Sequence, residues 1–129
     1  MIRKLVTSGS PLEPTIGFSR AVRVGPYLAV AGTAPIGPGG QTLCRGDVFG
    51  QTKACFAIAL RAIEQAGGRV EDVIRTRIML TDIDRWSDAA RAHGQVFHAI
   101  RPVCTFVGVS RFIDPDWLVE VEIDCYRAD

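Results

Sequence analysis

The chain has 129 residues, with 15 lysines and arginines against 14 aspartates and glutamates, for a formal net charge of +1. This length supports one domain, and 47% hydrophobic with 22% charged residues excludes a disordered polyelectrolyte. The balanced charge and the absence of any basic run argue against a nucleic-acid partner, because phosphate binding draws on clustered lysine and arginine.

The N-terminal run Met1 to Thr7 is too polar for a secretory signal. Residues 24–44 carry no charge, but Gly25, Pro26, Gly32, Pro35, Gly37, Pro38, Gly39 and Gly40 make this stretch unfit for a membrane helix. Cys44, Cys55, Cys104 and Cys125 show no CxxC spacing and no histidine at a zinc-ligand offset. Free thiols in the cytoplasm, with no metal, no cofactor and no membrane, are therefore expected.

Residues 19–24 alternate polar and apolar, as a half-buried strand does. Gly25-Pro26 turns the chain into a second short apolar strand, Tyr27 to Ala31, so the two predict an antiparallel hairpin. A glycine- and proline-rich loop runs from Pro35 to Arg45. Asp47 is placed to cap a helix whose apolar face is Val48, Cys55, Phe56, Ala59, Leu60 and Ile63, and Gly67-Gly68 ends it. Arg75 to Thr81 predicts a strand. Asp84 or a neighbour caps a second amphipathic helix, Trp86 to about Phe97, which Pro102 prevents from continuing.

Val103 to Val109 predicts another strand. Leu118 to Tyr126 alternates cleanly, with Leu118, Glu120, Glu122 and Asp124 on one face and Val119, Val121, Ile123 and Cys125 on the other. The order ββ-α-β-α-ββ predicts an α+β domain spanning residues 1–129, with one mixed, mostly antiparallel sheet and both helices packed on one face. The other face, half polar, meets water or a partner subunit.

Glu120 and Glu122 point the same way, about 7 Å apart by strand rise. Buried, such a carboxylate suits general acid–base work; exposed, the pair simply meets arginines across the strands. His93 and His98 are five apart and share no helix face, so no metal site is expected of them, and His93 is expected to cap or hydrogen-bond locally. Cys104 lies near Arg101, where a cation can activate a thiol, although a free cysteine ordinarily packs as a small hydrophobe.

Taken as a set, several segments resemble the RidA/YjgF family. Gly17-Phe18-Ser19-Arg20-Ala21-Val22 and Val30-Ala31-Gly32-Thr33-Ala34-Pro35 are similar to its N-terminal hairpin, and 47–67 to its first helix. Asp72-Val73-Ile74 and Thr81-Asp82-Ile83 follow, and 101–111 with Val119 to Ile123 resemble a C-terminal hairpin. The likeness covers about residues 15–126. It implies a chorismate-mutase-like fold assembled as a homotrimer with small-molecule clefts between subunits.

The best-studied branch of that family hydrolyses 2-imino acids to 2-oxo acids and ammonia. Its glutamate on the last strand matches Glu120, which the resemblance makes the catalytic, water-orienting residue. Gly32 and Thr33 match its backbone-donor segment. Phe18 stands where that branch has a pocket tyrosine, Arg91 where it has an asparagine, and Cys104 where an arginine holds the substrate carboxylate. Phe18, Gly32, Thr33, Arg91, Cys104 and Phe106 thus become the expected substrate-binding residues.

Loss of a guanidinium–carboxylate hydrogen bond costs about 1.5–3 kcal/mol, roughly tenfold to a hundredfold in binding. The change at Cys104 therefore argues against standard 2-imino acid deamination. The expectation is a hydrolase or deaminase acting on another imine, enamine or amide, or else a non-catalytic ligand sensor or partner-binding trimer.

Overall fold

The structure, a computed structural model, describes residues 2–128. Two of its elements escape the sequence pattern: strand β1 (Arg3–Val6) and a short helix α1 (Leu12–Ile16). The remainder follows in the expected sequence: β2 (Ala21–Val24), β3 (Tyr27–Thr33), α2 (Val48–Gln65), β4 (Val73–Leu80), α3 (Trp86–Phe97), β5 (Val103–Gly108) and β6 (Val119–Tyr126). The strands form one six-stranded sheet in the order β1-β2-β3-β6-β4-β5.

Helix α2 starts and stops as its sequence dictates. The Asp47 side chain accepts a hydrogen bond from the Gly50 N–H at 3.0 Å. Beyond the last turn Gly67 takes φ +87, a left-handed conformation that glycine adopts without strain. The cap ahead of α3 differs from expectation. Asp82, not Asp84, supplies the carboxylate, and it accepts from the Asp84 N–H to close a 3-10 turn over 83–85 before the helix begins.

The C-terminal strands do not form a hairpin. β5 pairs parallel to β4, whereas β6 runs antiparallel between β3 and β4. The reason is the α3 crossover, because a strand–helix–strand unit returns its second strand parallel to the first. The chain then crosses over β4 to place its most regularly alternating strand at the centre of the sheet.

Both long helices cover one face. Phe56, Ala59 and Ile63 of α2, with Ala89 and Phe97 of α3, pack on Leu28, Val30, Ile78, Leu80, Val119, Val121 and Ile123, all buried. The face away from the helices carries cross-strand ion pairs, Arg75 with Asp124 and Arg77 with Glu122.

Gln51 ties this core to the start of β6. It is fully buried on α2; its Nε2 donates to the Asp116 carbonyl at 3.0 Å and its Oε1 accepts from the Leu118 N–H at 2.8 Å. Gln51→Leu would strand both backbone groups, so a loss of about 2–4 kcal/mol in urea unfolding is expected. Unchanged stability would remove Gln51 as the clamp.

Candidate functional site

On β6 the alternation separates the carboxylates from the core and places Glu120, Glu122 and Asp124 on the face away from the helices. Two of them are committed. Glu122 pairs with Arg77 and Asp124 with Arg75. Glu120, opposite Met79, makes no ion pair or side-chain hydrogen bond among the described residues. It is half-buried, and burial pushes its carboxyl above the usual range, with Arg20 opposing the shift and Glu122 adding to it.

Gly32 adjoins this carboxylate. The β3–β6 register slips between Val30 and Thr33, and a Cβ at Gly32 would lie 2.9 Å from Glu120 Oε1. Its carbonyl accepts from Arg20 Nη2 at 2.6 Å. The Arg20 backbone is itself pinned, its N–H donating to the Val6 carbonyl at 2.8 Å and its carbonyl accepting from the Ala31 N–H at 3.0 Å. One chain thus brings together Glu120, Gly32 and Arg20.

Sequence reasoning missed Arg20 as a site residue, although it stands within the quoted segment 17–22. Its guanidinium is more than half-buried and lies within electrostatic reach of Glu13 and Glu120. The Glu13 carboxylate, almost covered at 6% exposure, accepts from Thr7 Oγ1 at 2.7 Å, from the Ser8 N–H at 2.9 Å and from Ser8 Oγ. Those bonds, the Ser8 hydroxyl first, hold its pKa below the ordinary carboxylate value.

The other expected residues are placed differently. Phe18 is at the surface, two positions before Arg20. Thr33 is fully buried and its hydroxyl donates to the Ala31 carbonyl at 2.8 Å, so a single chain does not offer it to a ligand. Cys104 and Phe106 pair with Thr76 and Ile78, whose side chains face the helices. They therefore lie on the opposite side of the sheet from Glu120, and a single chain does not bring them to it.

Cys104 is exposed on the edge strand rather than packed as a small hydrophobe. Phe106 stacks edge-on to Trp86 at 6.0 Å between ring centroids. Arg91 does not point at this strand. It pairs with Asp88 at 3.2 Å and lies 4.3 Å over the Phe49 ring of α2, because it sits two residues from the buried Ala89 and so projects from a different side of α3.

His93 does not bond locally as expected. Its Nε2 meets the buried Thr76 hydroxyl at 2.8 Å across α3 and β4, and burial lowers its pKa. His98 Nδ1 meets the Gly94 carbonyl at 3.0 Å. Among the described residues there is no group of three or more metal-ligating side chains, and no helix long and apolar enough to cross a membrane.

Comparison with known proteins gives consistent matches. The family model described as Endoribonuclease L-PSP matches residues 8–126. An uncharacterized protein of Streptomyces coelicolor is 43% identical over 123 residues, which is 95% of this chain and 91% of that one. A RutC family protein of Pyrococcus abyssi is 28% identical, over 98% and 99% of the two chains. Among solved structures, Rv2704 of Mycobacterium tuberculosis, described as a member of the YjgF/YER057c/UK114 family, is 43% identical. It superposes with a TM-score of 0.87 over 97% of this chain and 99% of its own.

Proposed function

The chain belongs to the Endoribonuclease L-PSP family, the YjgF group of the relatives above, and on that premise we propose that it is a homotrimeric hydrolase with small-molecule clefts between subunits. In this reading Glu120 orients or deprotonates the water that attacks a C=N bond, or the C–N bond of an amide. The observation that carries it is the state of Glu120: half-buried, raised in pKa, and unpaired beside two carboxylates that are each tied to an arginine. A carboxylate kept free in this way suits general-base work near neutral pH.

Assembly enters because Cys104 and Phe106 face the side of the sheet away from Glu120. A cleft that holds all of them needs the β5 edge of a second copy. An RNA substrate is not favoured, since Arg75 and Arg77 on this face are neutralised by Asp124 and Glu122. A ligand sensor without turnover remains the second reading, favoured by the exposed thiol of Cys104 where the family's deaminases hold the substrate with an arginine.

The test is ammonia release from 2-iminopropanoate and from a panel of other imines, enamines and small amides. Slow release from 2-iminopropanoate and faster release from another member of the panel are expected. Release from 2-iminopropanoate at the rate of an arginine-bearing relative would overturn the divergence argued from Cys104, and no release from any compound would favour the sensor. Sedimentation of the purified protein as a monomer at micromolar concentration would remove the shared cleft.

A further inference from the structure

Glu120 does not rest on its own strand alone. A Cβ at Gly32 would meet its Oε1 at 2.9 Å, so the Gly32 backbone of β3 is one wall of the carboxylate's position. Strand β3 is irregular there, its register against β6 slipping between Val30 and Thr33. Where a ladder is locally broken, the backbone needs another anchor to keep one geometry. Arg20 is that anchor. Its N–H donates to the Val6 carbonyl at 2.8 Å, its carbonyl accepts from the Ala31 N–H at 3.0 Å, and its Nη2 donates to the Gly32 carbonyl at 2.6 Å. The first bond ties Arg20 to β1, and the other two hold consecutive residues of the slipped segment.

A neutral side chain could also donate to the Gly32 carbonyl; arginine adds a charge that does not titrate in the working range. The carboxylates within its electrostatic reach are Glu13 and Glu120. Glu13 already accepts from the Thr7 hydroxyl and from the Ser8 N–H and hydroxyl, whereas Glu120 makes no ion pair among the described residues. The other groups around Glu120 do not replace the cation. Glu122, two residues along β6, adds negative charge. Arg77 on β4 is bound to Glu122, and Met79 stands opposite Glu120 on the same strand. The Cys55 thiol of α2 is buried with its pKa pushed up, so it stays neutral.

We propose that Arg20 is a positioning residue for Glu120: it locks the slipped β3 segment against which the carboxylate lies and sets a fixed positive charge within its reach. The proposal rests on the reading of Glu120 as the base and adds the group that holds it. Arg20 acts through Glu120 and not on the substrate. Burial drives Glu120 toward its neutral form and the guanidinium opposes it. A base that must be ionised to act therefore works at lower pH with Arg20 than without it.

The experiment is an NMR titration of the full-length protein that follows the Glu120 carboxyl carbon, assigned by its loss in Glu120→Gln. Arg20→Gln should move the Glu120 titration to higher pH. Arg20→Lys, which restores the charge without the fork, should return it toward the wild type. In turnover of any compound the protein hydrolyses, Arg20→Gln should lower kcat by about tenfold on the acidic side of the pH profile. Most of that loss should recover at high pH, where Glu120 is ionised in both proteins, and KM should change little. A role confined to folding would lower the melting temperature and leave the Glu120 titration in place.

The wild type gives a second measurement should the glutamine variant fold poorly. Its Arg20 guanidinium nitrogen signals should shift as Glu120 ionises, and that shift should disappear in Glu120→Gln. An unmoved Glu120 titration in Arg20→Gln, or Arg20 signals indifferent to Glu120, overturns the proposal and leaves the catalytic reading to ammonia release with and without Glu120. A raised KM with an unmoved pH profile would make Arg20 a substrate contact and overturn it too. A moved titration with no ammonia release from any compound would sustain Arg20 as the group that sets the state of Glu120 and overturn the catalytic reading instead.

Discussion

Glu120→Gln is expected to lower turnover of the true substrate by roughly a hundredfold to ten-thousandfold, the usual contribution of a positioned general base. The fold should not suffer. Burial raises the Glu120 pKa because it penalises the charged form. A carboxyl raised in this way favours the folded state only at acidic pH, and its ionised form costs stability at neutral pH. Removing the charge should therefore leave the melting temperature at pH 7 unchanged or slightly higher. The base must be ionised to act, so activity should rise with pH along a limb above the ordinary carboxylate range, and that limb should vanish in the variant.

Two companions sharpen the result. Glu122→Gln breaks a partly exposed ion pair with Arg77, so it should cost about 1 kcal/mol and little activity. Gly32→Ala leaves the carboxylate in place but puts a methyl group 2.9 Å from its Oε1, which must swing aside. Gly32 has no positive φ to lose, so this variant should fold and lose activity in part. Equal losses in the two glutamate variants would mean that the polar face acts as a whole and that Glu120 has no special role.

What the sequence made legible follows the range over which each feature is determined. Helix α2 is a local matter, fixed by Asp47 at one end and Gly67 at the other, and both ends lie where the residues put them. The two faces of β6 are also local, since alternation needs only the strand itself. Strand β1 was invisible because its four residues are mostly exposed and sit at the sheet edge. Strand order is non-local. Leu118 to Tyr126 alternates equally well in a hairpin with β5 or at the sheet centre, and only the α3 crossover decides between them.

The site divides in the same way. The face that carries Glu120 could be read from its own strand, and the family resemblance set Glu120 apart from Glu122. Arg20 could not, because its role depends on a register slip in β3, 12 positions further on in the chain. The opposite facing of Cys104 and Glu120 likewise depends on pairing partners, Thr76 for one and Met79 for the other. A one-residue change in either register would put both on one side of the sheet.

Phe56→Ala is expected to give the largest stability loss in the molecule. Phe56 is fully buried where α2, α3 and the sheet converge, edge-on to Phe97 at 5.0 Å and to His93 at 5.6 Å between ring centroids. Truncation opens a cavity and removes both ring contacts, at a cost of about 3–5 kcal/mol. Against a total of about 5–15 kcal/mol for a domain, that threatens the fold outright. At roughly 4 °C per kcal/mol for a chain of this size, the melting temperature should fall by about 12–20 °C.

Phe56→Leu, which keeps much of the volume, should cost well under half as much. His93 supplies a second readout. Burial lowers its pKa from the usual 6.5, so the folded state binds its proton less readily than the unfolded one and stability declines as pH falls below that value. Water entering the Phe56 cavity should move the His93 titration back toward 6.5 in NMR and flatten this decline. A melting loss with no change at His93 would mean that α3 closes over the gap, and the cost should then sit at the low end of the range.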